Sequence, residues 1–160
     1  MIEPKILVNV FERNYRIIRQ NAEGLTHEDS LLQMPSGGNC FNWIIGHIVS
    51  ARSGVMRALG IEPVWTDEKR ALYRGGSAPI TAENAHTAYR LEDILRDLDR
   101  SQEAIIAALY RNTLADMNAP TDIADRSLGE SINYFGWHEG YHIGQLEYPR
   151  NLAGKHEKVL

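Results

Sequence analysis

The stretch Trp137-His138-Glu139-Gly140-Tyr141-His142-Ile143-Gly144-Gln145 decides how this chain is read. It contains no proline and is bordered by apolar residues, so its spacing predicts a helix on which two histidines four apart share one face. That is metal-ligand spacing, because a rigid helix presents both imidazoles to one ion without bending the backbone. At about 100° per residue, Ser131, Tyr134, Phe135, His138, His142 and Gln145 form one stripe, which predicts that the pair sits on a buried seam. Buried imidazoles need partners, and a metal ion is one.

Composition bounds what such a helix can belong to. The chain has 160 residues, 43% hydrophobic and 24% charged, values that fit one soluble globular domain over 1–160. A formal charge of -4 without a basic block argues against nucleic acid or an anionic membrane surface as the main partner. No apolar run approaches the roughly 18 residues of a membrane span, and residues 1–20 carry charges where a signal peptide is apolar. The expected compartment is the cytoplasm. Cys40 is the only cysteine, so a disulfide or a cysteine-rich zinc site is excluded and a metal must be held by histidine and carboxylate.

From the N-terminus, Pro4 suits a first helical position, and Leu7, Val10, Phe11, Asn14, Ile17, Ile18 and Asn21 continue at helical spacing to Gly24. Asn14 falls on the apolar stripe, as a satisfied core amide or a group behind the metal. Residues 25–35 read as a loop with one helical turn capped by Thr26, and 36–39 break the chain. A second helix, 40–59, takes Asn39 as cap and Gly60 as stop, and its stripe of Cys40, Trp43, Ile44, His47, Ala51, Gly54 and Ala58 brings a third histidine to an apolar face. Cys40 lies roughly 10 Å along that helix from His47, too far to share its ion, and reads as a small buried hydrophobe.

Residues 61–80 show no period and form a long connection. It can return along the whole of helix two, about 30 Å, so that helix three runs parallel to helix two. Helix three is expected over 81–111 with Thr81 as cap, and with His86, Arg90, Asp93 and Asp97 on its polar face. After a loop at 112–126, Ser127 and Glu130 make a capping box that opens helix four, 127–152, with Arg150 and Lys155 near its negative end. His27 and His156 fall in a loop and a tail. Four long helices without a convincing strand give an all-α bundle, an architecture that places metals between facing helices.

Asn42-Trp43-Ile44-Ile45-Gly46-His47 on helix two, followed by residues 137–145 on helix four, resembles the DinB/YfiT-like family of bacterial metal-binding bundles, and the likeness covers the whole chain. The resemblance implies an up-down-down-up four-helix bundle with a long crossover between helices two and three. It further implies one divalent ion held by His47, His138 and His142, often in a dimer. Members of known activity are thiol-dependent transferases and isomerases that use bacillithiol, mycothiol or glutathione. The name comes from a damage-inducible member, which suggests a stress response without implying DNA chemistry.

Three neutral imidazoles leave open coordination positions, as in catalytic zinc sites, and suit zinc, nickel, copper or iron, of which zinc and nickel are favoured. A coordinated thiol is deprotonated and a coordinated water acidified, and either is a nucleophile, giving a transferase or a hydrolase. The resemblance implies the former, with a small-molecule thiol and an electrophile as partners and hydrolysis a weaker alternative. Tyr134, Glu139 and Gln145, like Asn14, are candidates for orienting a substrate or a ligand. His138-Glu139-Gly140-Tyr141-His142 also satisfies the H-E-x-x-H pattern of zinc proteases, in which the glutamate is the general base. The extended form of that pattern needs glycine at position 145, and Glu147 lies about 140° around the helix from His142. Proteolysis is therefore disfavoured. A further alternative is a non-catalytic, metal-stabilised bundle that binds a partner or senses stress.

Overall fold

Helix α1 (Pro4–Ala22) begins with proline at its first turn, where the missing N–H costs nothing, and ends before Gly24, whose φ of 72° only glycine adopts easily. A short α2 (His27–Ser30) follows, held by a reciprocal capping box between Thr26 and Asp29. Helix α3 (Phe41–Ala58) stops at Gly60, φ 69°. The connection after it contains α4 (Asp67–Ala71), capped by Thr66, and a 3-10 turn at Ala85–Thr87. Helices α5 (Leu91–Arg111), α6 (Leu114–Met117) and α7 (Leu128–Leu152) complete the chain, and the Ser127/Glu130 capping box opens α7 as its sequence requires. The structure is a computed structural model that describes residues 1–35, 37–121 and 125–159. Among these residues there is no strand, only an isolated bridge between Pro120 and Ser127, so the fold is all-α.

The four long helices pack in a ring of neighbours, α1 on α5 and α7, and α3 on the same two. Contacts advance together along α3 and α5. Asn42 donates to the Tyr89 carbonyl at one end, and Arg52 bonds Ser101 further along. Along α3 and α7 they run in opposite senses: His47 meets His142, Arg52 meets Glu139, and Gly54 faces Phe135. On α1 and α7 they advance together again, from Asn14 on the Gly136 carbonyl to Arg150 on the Asn21 carbonyl.

Two apolar clusters fill the interior. One gathers Ile18, Ile45, Ile48, Ile94, Leu98 and Leu146, and the other Leu7, Phe11, Met56, Ile105, Leu109 and Ile132. Between them each long helix contributes a buried polar side chain: Asn14, Arg52, Ser101 and Glu139. The Arg52 guanidinium donates from Nε and Nη2 to the two oxygens of Glu139 at 2.8 and 2.9 Å, and from Nη1 to Ser101 Oγ at 3.2 Å. A buried charge pair is tolerable when it is bidentate and its remaining protons find acceptors, as here.

Several expectations need correction. The cap of α3 is Cys40 and not Asn39, and its side chain makes no capping bond. Thr81 starts no long helix: its N–H donates to Asn84 Oδ1 in a local turn, and α5 begins ten residues later at Leu91. Tertiary bonds hold that segment out of helix: Tyr89 N–H donates to Tyr73 Oη, its carbonyl accepts from Asn42, and Leu91 N–H donates to buried His27 Nδ1. His86 is exposed, but in the 3-10 turn. Asp97 is buried, receiving bonds from Trp65 Nε1 and Lys69 Nζ, each at 2.7 Å. Arg150 serves the end of α1 through the Asn21 and Glu23 carbonyls. The expected break at 36–39 includes Ser36, which lies outside the described residues, as do 122–124 of the loop before α7.

Glu139→Leu alone strands the Arg52 charge in the core and should cost about 3–5 kcal/mol, whereas Arg52→Met combined with Glu139→Leu should recover most of that loss. Urea unfolding of the two proteins measures both values, and a single variant as stable as the parent would contradict this account of the layer.

Candidate metal centre

Helix α3 places His47 opposite His138 and His142 of α7. His138 Nε2 lies 3.3 Å from His47 Nε2 and 3.2 Å from His142 Nε2, and one nitrogen from each ring falls within 4.8 Å of the others. The outer nitrogens have fixed partners. His47 Nδ1 is 2.7 Å from the Tyr73 carbonyl oxygen and His142 Nδ1 is 2.9 Å from Gln145 Oε1. Each acceptor requires a proton on Nδ1, which leaves the Nε2 lone pair pointing at the common centre. Trp43 stacks on His47, 4.9 Å between centroids and 6° between planes, and anchors its own Nε1 on Ser77 Oγ. The crossover thus reaches the centre through Tyr73 and Ser77. Tyr73 can lie so close only because position 46 is glycine, where a Cβ would overlap its ring.

The donor set fits a divalent ion. Zinc–imidazole bonds of about 2.0–2.1 Å at tetrahedral angles set neighbouring ligand nitrogens roughly 3.3 Å apart, matching the two Nε2 separations. Without a cation, two lone pairs from His47 and His142 compete for one His138 proton. His138 Nδ1 is itself buried without a partner. Burial lowers all three histidines below their ordinary pKa, His142 to about 4, because desolvation penalises the charged ring. Imidazole is neutral, and so a ligand, at neutral pH.

The other candidates separate clearly. Gln145 is the acceptor behind His142. Tyr134 lies beside His138, 6.4 Å between centroids, yet it is 41% exposed, because the stripe of 131–145 runs along the solvent edge of the α7 seam and not its middle. The centre of the seam is Ile132, Glu139, Ile143 and Leu146. Glu139 spends both oxygens on Arg52, so it does not serve as the base of an H-E-x-x-H site. Asn14 donates to the Gly136 carbonyl and holds α1 on α7. Cys40 is fully buried, and burial pushes its thiol pKa up. Trp43 shared the predicted stripe of His47 one turn away, but its stacking was not legible; for Tyr73 and Ser77 the only signal was aromatic and small residues in a loop of unusual length.

Gln145→Leu should weaken metal affinity by about 10–100-fold with little loss of fold, since it removes the acceptor that orients His142. Competition with a chromophoric chelator measures it, and an unchanged affinity would refute that role. In the chelated protein, the unfolded chain takes up a proton at position 142 below the ordinary value of 6.5 that the folded chain refuses until about 4. Stability should therefore fall as pH drops through that window. Urea midpoints should decline less steeply in His142→Asn than in the parent, and parallel curves would count against the shift.

Among the described residues no helix is long and apolar enough to cross a membrane. No curated protein matches the chain. A family model described as the DinB superfamily matches residues 11–146, and with the match covering most of its length the chain belongs to that superfamily.

Proposed function

We propose that this protein is an up-down-down-up four-helix bundle that holds one divalent ion on His47, His138 and His142 and joins a small-molecule thiol to an electrophilic substrate. The paired senses of the helix contacts support the topology. The reading rests on one observation above all: three imidazoles converge and, among the described residues, no carboxylate joins them, since Glu139 is committed to Arg52. Such a donor set leaves an ion its full positive charge and an exchangeable position, and the chemistry it supplies is acidification of a ligand thiol.

The chain's own residues fix the rest. Tyr73 and Gln145 hold the His47 and His142 protons on Nδ1, Trp43 clamps the His47 ring, and apolar burial keeps the three rings uncharged. A hydrolase that relies on a carboxylate base is not supported among the described residues, where Glu139, the acidic group next to the pair, is engaged by Arg52. Zinc and nickel suit the donors equally. A lone buried cysteine is compatible with the cytoplasm.

Metal analysis of the purified protein tests the ligands. His47→Ala, His138→Ala and His142→Ala should each lose most of the bound ion, with exposed His86→Ala as the control that retains it. A His47→Ala protein as metal-rich as the control would overturn the ligand set. In the loaded parent, a small thiol should raise the melting temperature, and it should leave that of His47→Ala unmoved. No thiol response from a metal-loaded parent would favour the non-catalytic alternative.

A further inference from the structure

Helix α7 carries its histidines beside an unusual outer face. Between residues 131 and 146 the only acidic or basic group other than histidine is Glu139, and it is buried against Arg52, so the exposed side of four helical turns bears no charge. It carries rings instead. Trp137 is 63% and Tyr141 58% exposed, with their centroids 6.4 Å apart and planes at 29°. Nothing lies within 4 Å of where a Cβ would stand on Gly140 or Gly144, so the space around these rings is open. A solvated helix face normally carries charged side chains, and contiguous exposed aromatics mark a binding surface.

What binds there is argued from where the surface leads. Tyr141 stands edge-on to His142 at 5.1 Å, and Tyr134, its ring covered by the Arg126 guanidinium at 4.6 Å, lies alongside His138. The aromatic strip is therefore continuous with two of the three histidines. We propose that Trp137 and Tyr141, flanked by Tyr134, are the recognition wall for the electrophile, and that this electrophile carries an electron-poor aromatic ring. Indole and phenol faces are electron-rich, so they stack well on a ring depleted of electrons. A cation is drawn to the same faces, but no exposed carboxylate between residues 131 and 146 stands by to balance it, and Arg126 already lies on Tyr134. The word electrophile rests on the thiol-transfer reading; recognition of the ring does not.

The test uses unreactive 1,3-dinitrobenzene in equilibrium dialysis, with nitroethane as the aliphatic comparison and tetramethylammonium as the cationic one. The parent should retain dinitrobenzene in clear preference to both. Trp137→Ala and Tyr141→Ala, each at an exposed position that leaves the core intact, should weaken binding roughly tenfold, and His47→Ala should bind as the parent does. The proposal is overturned if nitroethane binds as well, if tetramethylammonium is preferred, or if the two alanine variants bind normally. It is overturned equally if sedimentation shows a dimer that these variants dissociate, since the face would then belong to a second copy. Metal content measured on the same samples separates the readings. A parent with metal but no dinitrobenzene binding loses the wall alone; one that binds dinitrobenzene through these rings but holds no metal loses the metal centre alone.

Discussion

The bidentate bond between Arg52 and Glu139 is the constraint on which the rest of the interior depends. An apolar interface between two helices tolerates sliding, since one aliphatic contact resembles the next, but a buried guanidinium has one place where its donors are satisfied. Arg52 finds it between Glu139 on α7 and Ser101 on α5, so one side chain fixes α3 against two helices at once. His47 lies five residues before Arg52, and His138 and His142 lie one before and three after Glu139. Register along α3 and α7 is thereby set within about a turn of the three histidines. A slip of one turn, about 5.4 Å, would carry His47 out of reach of the pair.

The crossover supplies the second restraint. It is not a passive return. Trp65 and Lys69 converge on buried Asp97, with Lys69 Nζ also over the Trp65 and Tyr89 rings at 4.7 Å, and this pins the segment to α5. From there Tyr73 reaches α3, where its hydroxyl donates to Asn42 and its carbonyl accepts from His47. The His47 ring is thus oriented by a backbone atom of a loop, and the loop is oriented by groups on two helices. A loop of such length keeps one conformation only because polar groups inside it are nearly all paired.

Much of this was legible in the sequence. The histidine pair needed only its spacing, and the Ser127/Glu130 and Thr26/Asp29 caps needed only theirs. His47 could be chosen because it alone of the remaining histidines shares a stripe with apolar residues. What could not be read was set at long range. The start of α5 moved ten residues because Thr81 is a good cap by composition, while Tyr73, Asn42 and His27 claim the backbone at 89–91 through bonds between segments distant in sequence. Asp97 looked solvated because helical period places it with Arg90 and Asp93; only the fold brings Trp65 to it. Tyr134 looked buried because a stripe has no marked edge in sequence.

The polar layer and the histidine cluster together settle the charge of the centre. Glutamate next to a ligand histidine is the residue that, in another bundle, would join the ion or take a proton from water. Here Arg52 neutralises it and turns it inward, so among the described residues the cluster offers only uncharged donors. An ion on three imidazoles would retain its whole charge for whatever occupied the remaining position, whereas each added carboxylate would cancel part of it. The same buried pair that sets the register of α3 and α7 therefore also keeps the Glu139 carboxylate away from the three histidines, which is why structural and chemical roles cannot be assigned to separate residues at this level of the bundle.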